Sequence, residues 1–400
     1  MFYQKLSYLI ISIFLFFSCS QKEDKGKAYI SNQKAKISVI DLNNFEVVGE
    51  IDSYGGSPRG IGVSEDGKYL IVANGDDGNI AIIDRISGTL IKKVDIGENP
   101  EFVRIKDNLA FVSYEPASIG GPPPKPGSQA EKELREKREE EDEQPAQVAV
   151  VDIEKGEVIK SIVGGMETEG IEFSSDGSKI LVTNEADDNV SVHEIESGKL
   201  FKTISTIDYG YRPRGIKRSP DGSYYVASIE YGDSLVILDS NFEVIQSVKT
   251  GRVPYGIAFS DDGEKLFVAL NKDSALEVFD TKTWESVKKI PTGKRCWHFS
   301  YTPDRNSILV ACGKSDNIII IDTNNLEKVT EIPSKGMPWG IVTFPKSSGS
   351  LDWNVFENSY EKLKLFELWV LEFDDLLLSA VPLIIKKLKI FLFYMAFKSW

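Results

Sequence analysis

The chain has 400 residues, is 41% hydrophobic and carries a formal net charge of −14 at pH 7. Nucleic acids and anionic lipids bind clustered Lys and Arg, so this acidic balance excludes both as ligands of the main domain. The length allows two domains, but an uninterrupted internal repeat favours a single large one.

The first 27 residues have the features of an export signal followed by a tether. Lys5 precedes a 12-residue apolar run from Leu6 to Phe17, which is short for a membrane span. Ser18 and Cys19 end this run in a pattern that resembles a bacterial lipoprotein signal. We therefore predict a signal peptide over 1–18, lipidation of Cys19 and a membrane tether over 19–27. An ordinary cleaved signal and an uncleaved anchor are the alternatives, and all three export the protein to the periplasm or the cell surface.

A phrase of about 41 residues recurs from Gly60 to Gly340. Its clearest copy, at 58–74, reads Pro-Arg-Gly-Ile-x-x-Ser-x-Asp-Gly-Lys-x-Leu-x-Val-Ala-Asn. Each copy contains short alternating apolar runs rich in β-branched residues, separated by the Asp-Gly and Ser-Gly pairs that tight hairpins use. Repeats of this length with four short strands each are typical of a β-propeller. Complete units start near Pro58, Pro100, Thr168, Pro213, Pro254 and Cys296.

The two ends of the repeat region complete each other. Residues 28–51 contain three strands without the opening strand of a unit, and the missing strand stands alone at Pro338–Phe344. We predict an all-β, seven-bladed propeller over 28–345, in which the N-terminal strands pair with the C-terminal strand and leave no open edge.

Two segments fall outside the repeat. Residues 116–146 form an insert, with a proline-rich stretch and then an almost entirely charged stretch from Gln129 that Ser128 is suited to cap as a helix. We expect a hinge and a mobile acidic helix that overhangs the central opening, or else an inert insertion. Residues 346–400 form a C-terminal tail whose apolar and Lys residues indicate an amphipathic helix at a membrane interface; a non-native extension past Asp352 is the alternative.

Counting strands up and down places the residue that opens each blade at the rim of the central channel, on one face. These positions are Arg59, Glu101, Glu169, Arg214, Tyr255, Trp297 and Trp339. Cations, carboxylates and aromatic rings thus converge on one axis, as in a ligand-binding funnel. We predict that this funnel face binds a small molecule or a protein. A ring of mutually paired charges that holds the blades in register is the alternative.

The sequence gives little support for catalysis or for a metal, and no catalytic residue or cofactor is predicted. Of the two histidines, His193 is expected to be structural or exposed, whereas His298 is a candidate haem or metal ligand. Strand alternation places Trp297 on the opposite side from His298, which favours a core histidine. Bound Ca²⁺ in aspartate-rich loops such as 74–77 is a further alternative.

The remaining two cysteines lie almost opposite each other on one predicted hairpin. Cys296 opens the first strand of its blade and Cys312 ends the second, so an exported protein would be expected to join them in a disulfide. Two free buried thiols are the alternative.

Stretches 68–74 and 179–184 resemble the YVTN-type β-propeller repeat. Four others, at 167–173, 184–188, 294–299 and 337–340, resemble propeller proteins associated with quinone-dependent alcohol catabolism, as does the insert. This resemblance implies an exported accessory or binding protein, similar in fold to the haem-binding propeller of dissimilatory nitrite reductase.

The sequence therefore favours an exported, membrane-tethered propeller that binds its partner through the funnel face and has no enzymatic role. One alternative is a periplasmic redox accessory protein that carries haem or a metal. The other is a lactonase-like hydrolase, in which Glu101 or Glu169 acts as the base beside Arg59 and Arg214.

Overall fold

The computed structural model describes residues 24–115, 124–140 and 144–352. The first strands are β1 (Lys27–Asn32), β2 (Ala35–Asp41), β3 (Glu46–Ile51), β4 (Pro58–Val63), β5 (Tyr69–Asn74), β6 (Asn79–Asp84), β7 (Leu90–Asp95), β8 (Val103–Lys106), β9 (Leu109–Tyr114), β10 (Gln147–Asp152), β11 (Glu157–Val163), β12 (Thr168–Phe173), β13 (Lys179–Asn184) and β14 (Asn189–Glu194). The others are β15 (Leu200–Ser205), β16 (Tyr211–Arg218), β17 (Tyr224–Tyr231), β18 (Ser234–Asp239), β19 (Val244–Lys249), β20 (Pro254–Phe259), β21 (Lys265–Leu270), β22 (Ala275–Asp280), β23 (Ser286–Pro291), β24 (Cys296–Tyr301), β25 (Ser307–Cys312), β26 (Asn317–Asp322), β27 (Glu327–Pro333) and β28 (Pro338–Phe344). One helix, α1 (Gln129–Glu140), and a 3-10 turn (Gly313–Ser315) complete the description.

The strands form seven four-stranded antiparallel sheets, which are the blades of a propeller. Blades 1 to 6 take their strands consecutively, from β4–β7 in blade 1 to β24–β27 in blade 6. Blade 7 has the order β28-β1-β2-β3, with Lys27 opposite Phe344 and Ile30 opposite Ile341. The predicted all-β, seven-bladed propeller, closed by pairing between the two ends of the repeat region, is confirmed.

Burial within each blade explains why the repeat folds in this way. In blade 1 the third strand, β6, is almost fully buried, whereas most residues of the outer strand β7 are exposed. Both faces of the inner strands therefore pack against neighbouring blades, and their runs of Ile, Val and Leu supply that packing.

Glycine in the first strand allows adjacent blades to approach closely at the axis. A Cβ on Gly215 would lie 2.6 Å from the carbonyl oxygen of Tyr255, and one on Gly256 would lie 2.4 Å from that of Trp297. Contacts this short are not tolerated, so the side chain must be absent at these positions. Blades 2 and 6 carry Phe102 and His298 where the other five blades carry glycine, a difference that shapes the channel.

The insert leaves blade 2 between its second and third strands and contains α1. Helix α1 follows Ser128, whose Oγ accepts a hydrogen bond from the backbone N–H of Glu131 at 3.2 Å. The carbonyl oxygen of Pro124 accepts a hydrogen bond from the guanidinium of Arg212 at the start of blade 4. The insert therefore contacts the same face of the propeller from which the first strands begin.

The propeller continues past the predicted boundary at residue 345. Residues 346–352, which the sequence assigned to the tail, are largely buried inside the channel. The structure thus places the start of this predicted tail within the propeller, because hydrogen bonds to blade 6 hold it there.

Several sequence predictions fall outside the described residues. These are the signal peptide, the lipidated Cys19, the proline-rich stretch at 116–123 and the amphipathic helix of the C-terminal tail. Within 24–115, 124–140 and 144–352, no helix combines the length and apolarity that crossing a bilayer requires.

Candidate functional site

A funnel of about 1200 Å³ opens at one end of the central channel. All seven predicted rim residues line it, namely Arg59, Glu101, Glu169, Arg214, Tyr255, Trp297 and Trp339. The ends of the second strands and the loops that follow them add polar residues that include Glu230 and Glu185. Counting strands thus located the cavity, although it did not reveal how the charges inside it pair.

Arg214 is the centre of the larger charge cluster. Its guanidinium binds Glu169 and Glu185 and also donates from Nε to Glu230 Oε2 at 2.6 Å. The Tyr255 hydroxyl donates to Glu169 at 3.1 Å, and the Tyr255 ring lies 5.0 Å from the Arg214 guanidinium carbon. Each of the three guanidinium nitrogens of Arg214 is therefore bound by a carboxylate of the protein. The cluster resembles the structural ring of paired charges that the sequence left as an alternative.

The pKa values within this cluster follow its burial and charges. Burial raises the pKa of Glu185 well above its usual value, although Arg214 opposes this effect. Burial disfavours the charge on Arg214, but Glu185 and Glu169 together raise its pKa well above its usual range. Arg214 consequently remains charged, and its neighbouring carboxylates depend on that charge.

Arg59 and Glu101 form a second, more open pair. Arg59 Nη1 lies 2.8 Å from Glu101 Oε2, and the two side chains are 25% and 17% exposed. No hydrogen bond joins Glu101 Oε1 to another described residue, and the buried Arg59 Nε has no described partner either. Burial raises the pKa of Glu101, and Glu169 adds to this rise while Arg59 opposes it. The partly exposed Arg59 and Glu101 side chains therefore face a concave space in which Glu101 Oε1 can still accept a hydrogen bond.

The mouth of the funnel has an acidic side and a basic side. Glu101, Glu169, Glu185 and Glu230 belong to blades 2 to 4, whereas blades 5 and 6 contribute four cations, Lys272, Lys294, Arg295 and Lys314. None of these four forms an ion pair with another described residue, and Arg295 lies 5.2 Å from the Trp297 ring centroid. An acidic protein thus exposes an unpaired basic patch inside this funnel, beside an aromatic surface.

The aspartates of the funnel loops hold other loops in place. Asp77 accepts a hydrogen bond from the Gly56 N–H at 2.8 Å, and Asp273 accepts one from the Arg252 N–H at 2.8 Å. Asp187 does the same for Met166 at 2.9 Å. No cluster of three or more His, Cys, Asp and Glu side chains among the described residues is arranged to hold a metal ion. The loop carboxylates considered for Ca²⁺ therefore act as clamps between successive loops.

His298 is buried at 2% exposure and lies at the channel axis beneath the funnel. The pairing of β24 with β25 shifts by one residue between Cys296 and Phe299, which is a β-bulge. The bulge interrupts the alternation, so Trp297 lines the funnel while the His298 ring lies 4.3 Å from that of Trp339. Burial, reinforced by Lys217 and Arg104, lowers the pKa of His298 to about 3, so this side chain is neutral.

A lower ring of buried charges was missed by the sequence analysis. Arg104 Nη2 lies 2.7 Å from Glu172 Oε2, and Lys217 lies nearby, fully buried, with a pKa that burial lowers well below its usual value. All three residues stand three positions after the rim residue of their blade. A charged residue within an otherwise apolar first strand was the signal that would have revealed them.

The two predicted disulfide cysteines and His193 have structural contacts and do not line the funnel. Cys296 and Cys312 are opposite each other in the β24–β25 register and form a disulfide. His193 is buried on β14, the third strand of its blade, with Nε2 2.8 Å from Ser191 Oγ.

Comparison with known proteins places this architecture in a family. The YNCE-like β-propeller family model matches residues 17–110 and 257–378, which together make up more than half of the chain. The chain belongs to the YNCE-like β-propeller family. A second model, for the seven-bladed β-propeller lactonases, matches residues 170–287. This stretch contains Glu185, Arg214 and Glu230, while Arg59 and Glu101 lie outside it.

Relatives of this propeller include enzymes. The chain is 23% identical over 298 residues to the dihydro-heme d1 dehydrogenase of Pseudomonas aeruginosa. This alignment covers 66% of the chain and 60% of the dehydrogenase. The chain therefore spans less than two thirds of the length of this curated relative.

Two solved structures show the same fold. The periplasmic gluconolactonase of P. aeruginosa is 15% identical with a TM-score of 0.61, over 80% of this chain and 98% of the other. A provisionally assigned 6-phosphogluconolactonase from Bacteroides uniformis is 17% identical with a TM-score of 0.63, over 80% of this chain and 99% of the other. Together with the lactonase model, these matches overturn the prediction of a non-enzymatic protein.

The residues present do not fit haem ligation by histidine in the funnel. His193 is 3% exposed and His298 is 2% exposed, and these are the two histidines of the chain. Trp339 and Tyr255 both contact His298 on the funnel side. A haem iron in the funnel would therefore find no accessible imidazole ligand.

Proposed function

We propose that the protein hydrolyses a polar lactone in the funnel and releases the open-chain hydroxy acid. The observation that carries this proposal is the Arg59–Glu101 pair at a concave site, in which no described residue forms a hydrogen bond with Glu101 Oε1 and the Arg59 side chain is 25% exposed. Ester opening requires a base for water and a donor for the developing oxyanion, and this pair supplies both. The partial match to the lactonase family model supports the same class of reaction.

Glu101 acts as the base and Arg59 as the oxyanion donor. Glu101 Oε1 takes a proton from a water molecule, whose oxygen bonds to the lactone carbonyl carbon. Arg59 stabilises the resulting oxyanion. When the intermediate collapses, the bond between the carbonyl carbon and the ring oxygen breaks, and that oxygen takes the proton back from Glu101. The new carboxylic acid then loses its own proton to solvent.

The cations of blades 5 and 6 select the substrate class. In a ring of seven blades, blade 2 lies across the axis from blades 5 and 6, and Phe102 of blade 2 meets His298 of blade 6 with ring centroids 6.0 Å apart. Lys272, Lys294, Arg295 and Lys314 thus lie across the funnel from Glu101. A lactone that carries a phosphate or carboxylate group would place its charge on these cations and its carbonyl beside Arg59.

The Arg214 cluster supports this chemistry indirectly. Glu169 contributes to the raised pKa of Glu101 and is itself held by Arg214 and Tyr255. A carboxyl group with a raised pKa is a stronger base once it is ionised, which suits proton transfer near neutral pH.

The test is hydrolysis of phosphorylated and carboxylated sugar lactones by the wild type, Glu101→Gln and Glu98→Gln. Glu98 lines the same cavity and serves as the matched control. We expect Glu101→Gln to lower kcat by about 10²- to 10⁴-fold, because the base is lost, and Glu98→Gln to retain most activity. A wild type without activity on either lactone class would contradict the proposal, as would full activity in Glu101→Gln.

The pH dependence gives a second criterion for the same pair. Activity should rise with pH as Glu101 loses its proton, and removal of Arg59 should move this rise to higher pH, since Arg59 opposes the raised pKa of Glu101. An Arg59→Met enzyme with an unshifted profile would exclude Glu101 as the base.

We also propose that the protein is exported and anchored through Cys19. The gluconolactonase of similar fold is described as periplasmic, which supports export. The described chain begins beside Phe344, at the end of β28, whereas the funnel lies beside Trp339 near the start of that strand. A tether would therefore leave the funnel facing away from the membrane, and palmitate labelling that requires Cys19 tests this anchor. The link to quinone-dependent alcohol catabolism stays a prediction from the sequence.

A further inference from the structure

We propose that residues 345–352 are a built-in channel plug that forms the floor of the funnel, and that His298 is the positioning residue through which this plug holds Trp339 and Tyr255. The inference concerns the architecture of the candidate site. It rests on the proposed function only where lactone kinetics are used to test it.

The channel plug enters from the face opposite the funnel and pairs with blade 6. Lys346 lies 2.8 Å from Glu65 at the entrance. Further in, the Tyr301 N–H donates to the Ser348 carbonyl at 2.9 Å, and the Ser350 N–H donates to the Phe299 carbonyl at 2.9 Å. Ser347, Ser348 and Leu351 are at most 1% exposed, so this segment occupies the channel as an additional inner strand.

Three consecutive residues of the channel plug each meet a different channel side chain. Ser350 Oγ lies 3.0 Å from His298 Nδ1, and the Leu351 carbonyl accepts a hydrogen bond from Arg104 at 2.6 Å. The Asp352 carbonyl accepts one from Lys217. The buried cations of the lower ring thus hold the plug through its backbone, which explains their presence in apolar strands.

The opposite wall of the channel has room for this segment. At the position of Arg104 and Lys217, blades 5 and 6 carry the small residues Ala258 and Ser300. Gly349 lies against Ser300, where an added Cβ would be 3.0 Å from the Ser300 Cα and 2.8 Å from the Phe299 carbonyl oxygen. The channel is therefore shaped on one side by long charged residues and on the other by small ones, with the plug between them.

Above the channel plug, aromatic side chains close the axis. Phe102 and His298 meet there, and His298 also packs against Tyr255 and Trp339, with ring centroids 5.7 Å and 4.3 Å away. Leu351 belongs to the same buried cluster as Phe102, Tyr255 and Trp339. Tyr255 in turn holds Glu169, so a displacement of the plug is transmitted to the charges of the funnel. The funnel is thus a blind site whose depth the plug sets.

The experiment is amide hydrogen exchange on the full chain, with Gly349→Val as the displacing variant. A valine side chain would collide with the backbone of β24 and expel the plug without changing any blade residue. Gly49→Val on the exposed strand β3 is the matched control, because a Cβ there has no atom within 4 Å. Ser350→Ala, which removes the Oγ contacts to His298 and Phe299, is a milder second variant.

We expect Gly349→Val to raise exchange at least tenfold in β24 and in the segments that contain Tyr255 and Trp339, with β14 unchanged. Ser350→Ala should produce a smaller rise, and the control none. KM for the lactone should rise at least fivefold in Gly349→Val, because the floor of the site is lost.

Three results would overturn the inference. These are wild-type exchange in both variants, faster exchange in β24 without any effect at Tyr255 and Trp339, or an unchanged KM in an active enzyme. If the wild type hydrolyses no lactone, only the proposed function fails, since the exchange data still decide the role of the plug. If Gly349→Val unfolds, the Ser350→Ala pattern decides.

Discussion

Arg214 and Arg59 both lie at the rim of the funnel, yet their surroundings give them different roles. Arg214 is bound by Glu169, Glu185 and Glu230, and its side chain is 11% exposed. Arg59 has one carboxylate partner, and its side chain is 25% exposed. The first arginine therefore neutralises carboxylates that the fold has buried, while the second retains hydrogen-bonding capacity for a ligand.

Replacing Arg214 by Met should cost about 3–5 kcal/mol of unfolding free energy, because uncompensated buried carboxylates remain. Arg252→Met, which breaks the exposed pair with Asp273, should cost less than about 1 kcal/mol. Urea unfolding at pH 8 and pH 5 measures both losses. The Arg214 loss should shrink at pH 5, since burial already raises the pKa of Glu185 and the folded variant gains protons as pH falls. Equal losses in the two variants, or a larger Arg214 loss at pH 5, would show that the cluster is not held by this charge.

For individual residues, the sequence predicted which positions lie at the rim better than it predicted which partners their side chains bind. Counting strands identified all seven rim residues because the repeat period is regular. It did not place His298 at the axis, because strict alternation ignores a one-residue bulge that follows the opening residue in blades 1, 3, 4, 5 and 6. Nor could it distinguish Arg214 from Arg59, since the repeat does not specify that Glu185, just after β13, and Glu230, near the end of β17, both reach Arg214.

The first hairpin of the blades carries a recurring side-chain clasp. Ser174 Oγ donates to Asp176 at 2.5 Å, and the same Asp176 oxygen accepts the Ser178 N–H at 3.0 Å. Gly177 follows with φ of +67°, which completes the tight turn. Corresponding Ser–Asp or Thr–Asp contacts occur at residues 64, 219, 260 and 302. The Asp-Gly mark in the sequence therefore reflects a hydrogen-bonded turn as well as a flexible glycine.

These clasps predict a specific acid sensitivity. Hydrogen bonds from Ser174 and Ser178 lower the pKa of Asp176 to about 2 from an ordinary value of 3.8. A carboxylate whose pKa is depressed by folding stabilises the protein above its unfolded pKa, and this stability is lost as pH falls towards the folded value. Asp176→Asn should therefore be less stable than the wild type by at most about 1 kcal/mol above pH 4, with the gap closing towards pH 2.

Thermal unfolding between pH 2 and pH 6 measures this gap, with Asp208→Asn at an exposed position as the control. A gap that is constant across this range would mean that the carboxylate charge of Asp176 is not what stabilises the turn.

Across the whole molecule, two segments from the end of the described chain close two different openings. Strand β28 pairs with β1 and closes the ring of blades, which the repeat predicted because an opening strand was missing at one end and present at the other. The channel plug closes the axis, which no repeat could predict, since residues 345–352 occur once and their partners come from four blades. The periodicity of the sequence thus predicted the fold. It could not predict the floor of the site, because the contacts that form this floor occur once and not in every repeat.

The central claim is that one funnel holds a lactone between Glu101 and the cations of blades 5 and 6. A crystal structure with a lactam analogue that bears a phosphate or carboxylate group tests this claim most directly, because the amide ring resists opening. We predict that the lactam carbonyl lies within hydrogen-bond distance of Arg59, about 3 Å, with the anionic group beside Lys294 and Arg295. An analogue that binds elsewhere at saturating concentration, or one that turns its anionic group away from these cations, would contradict the account.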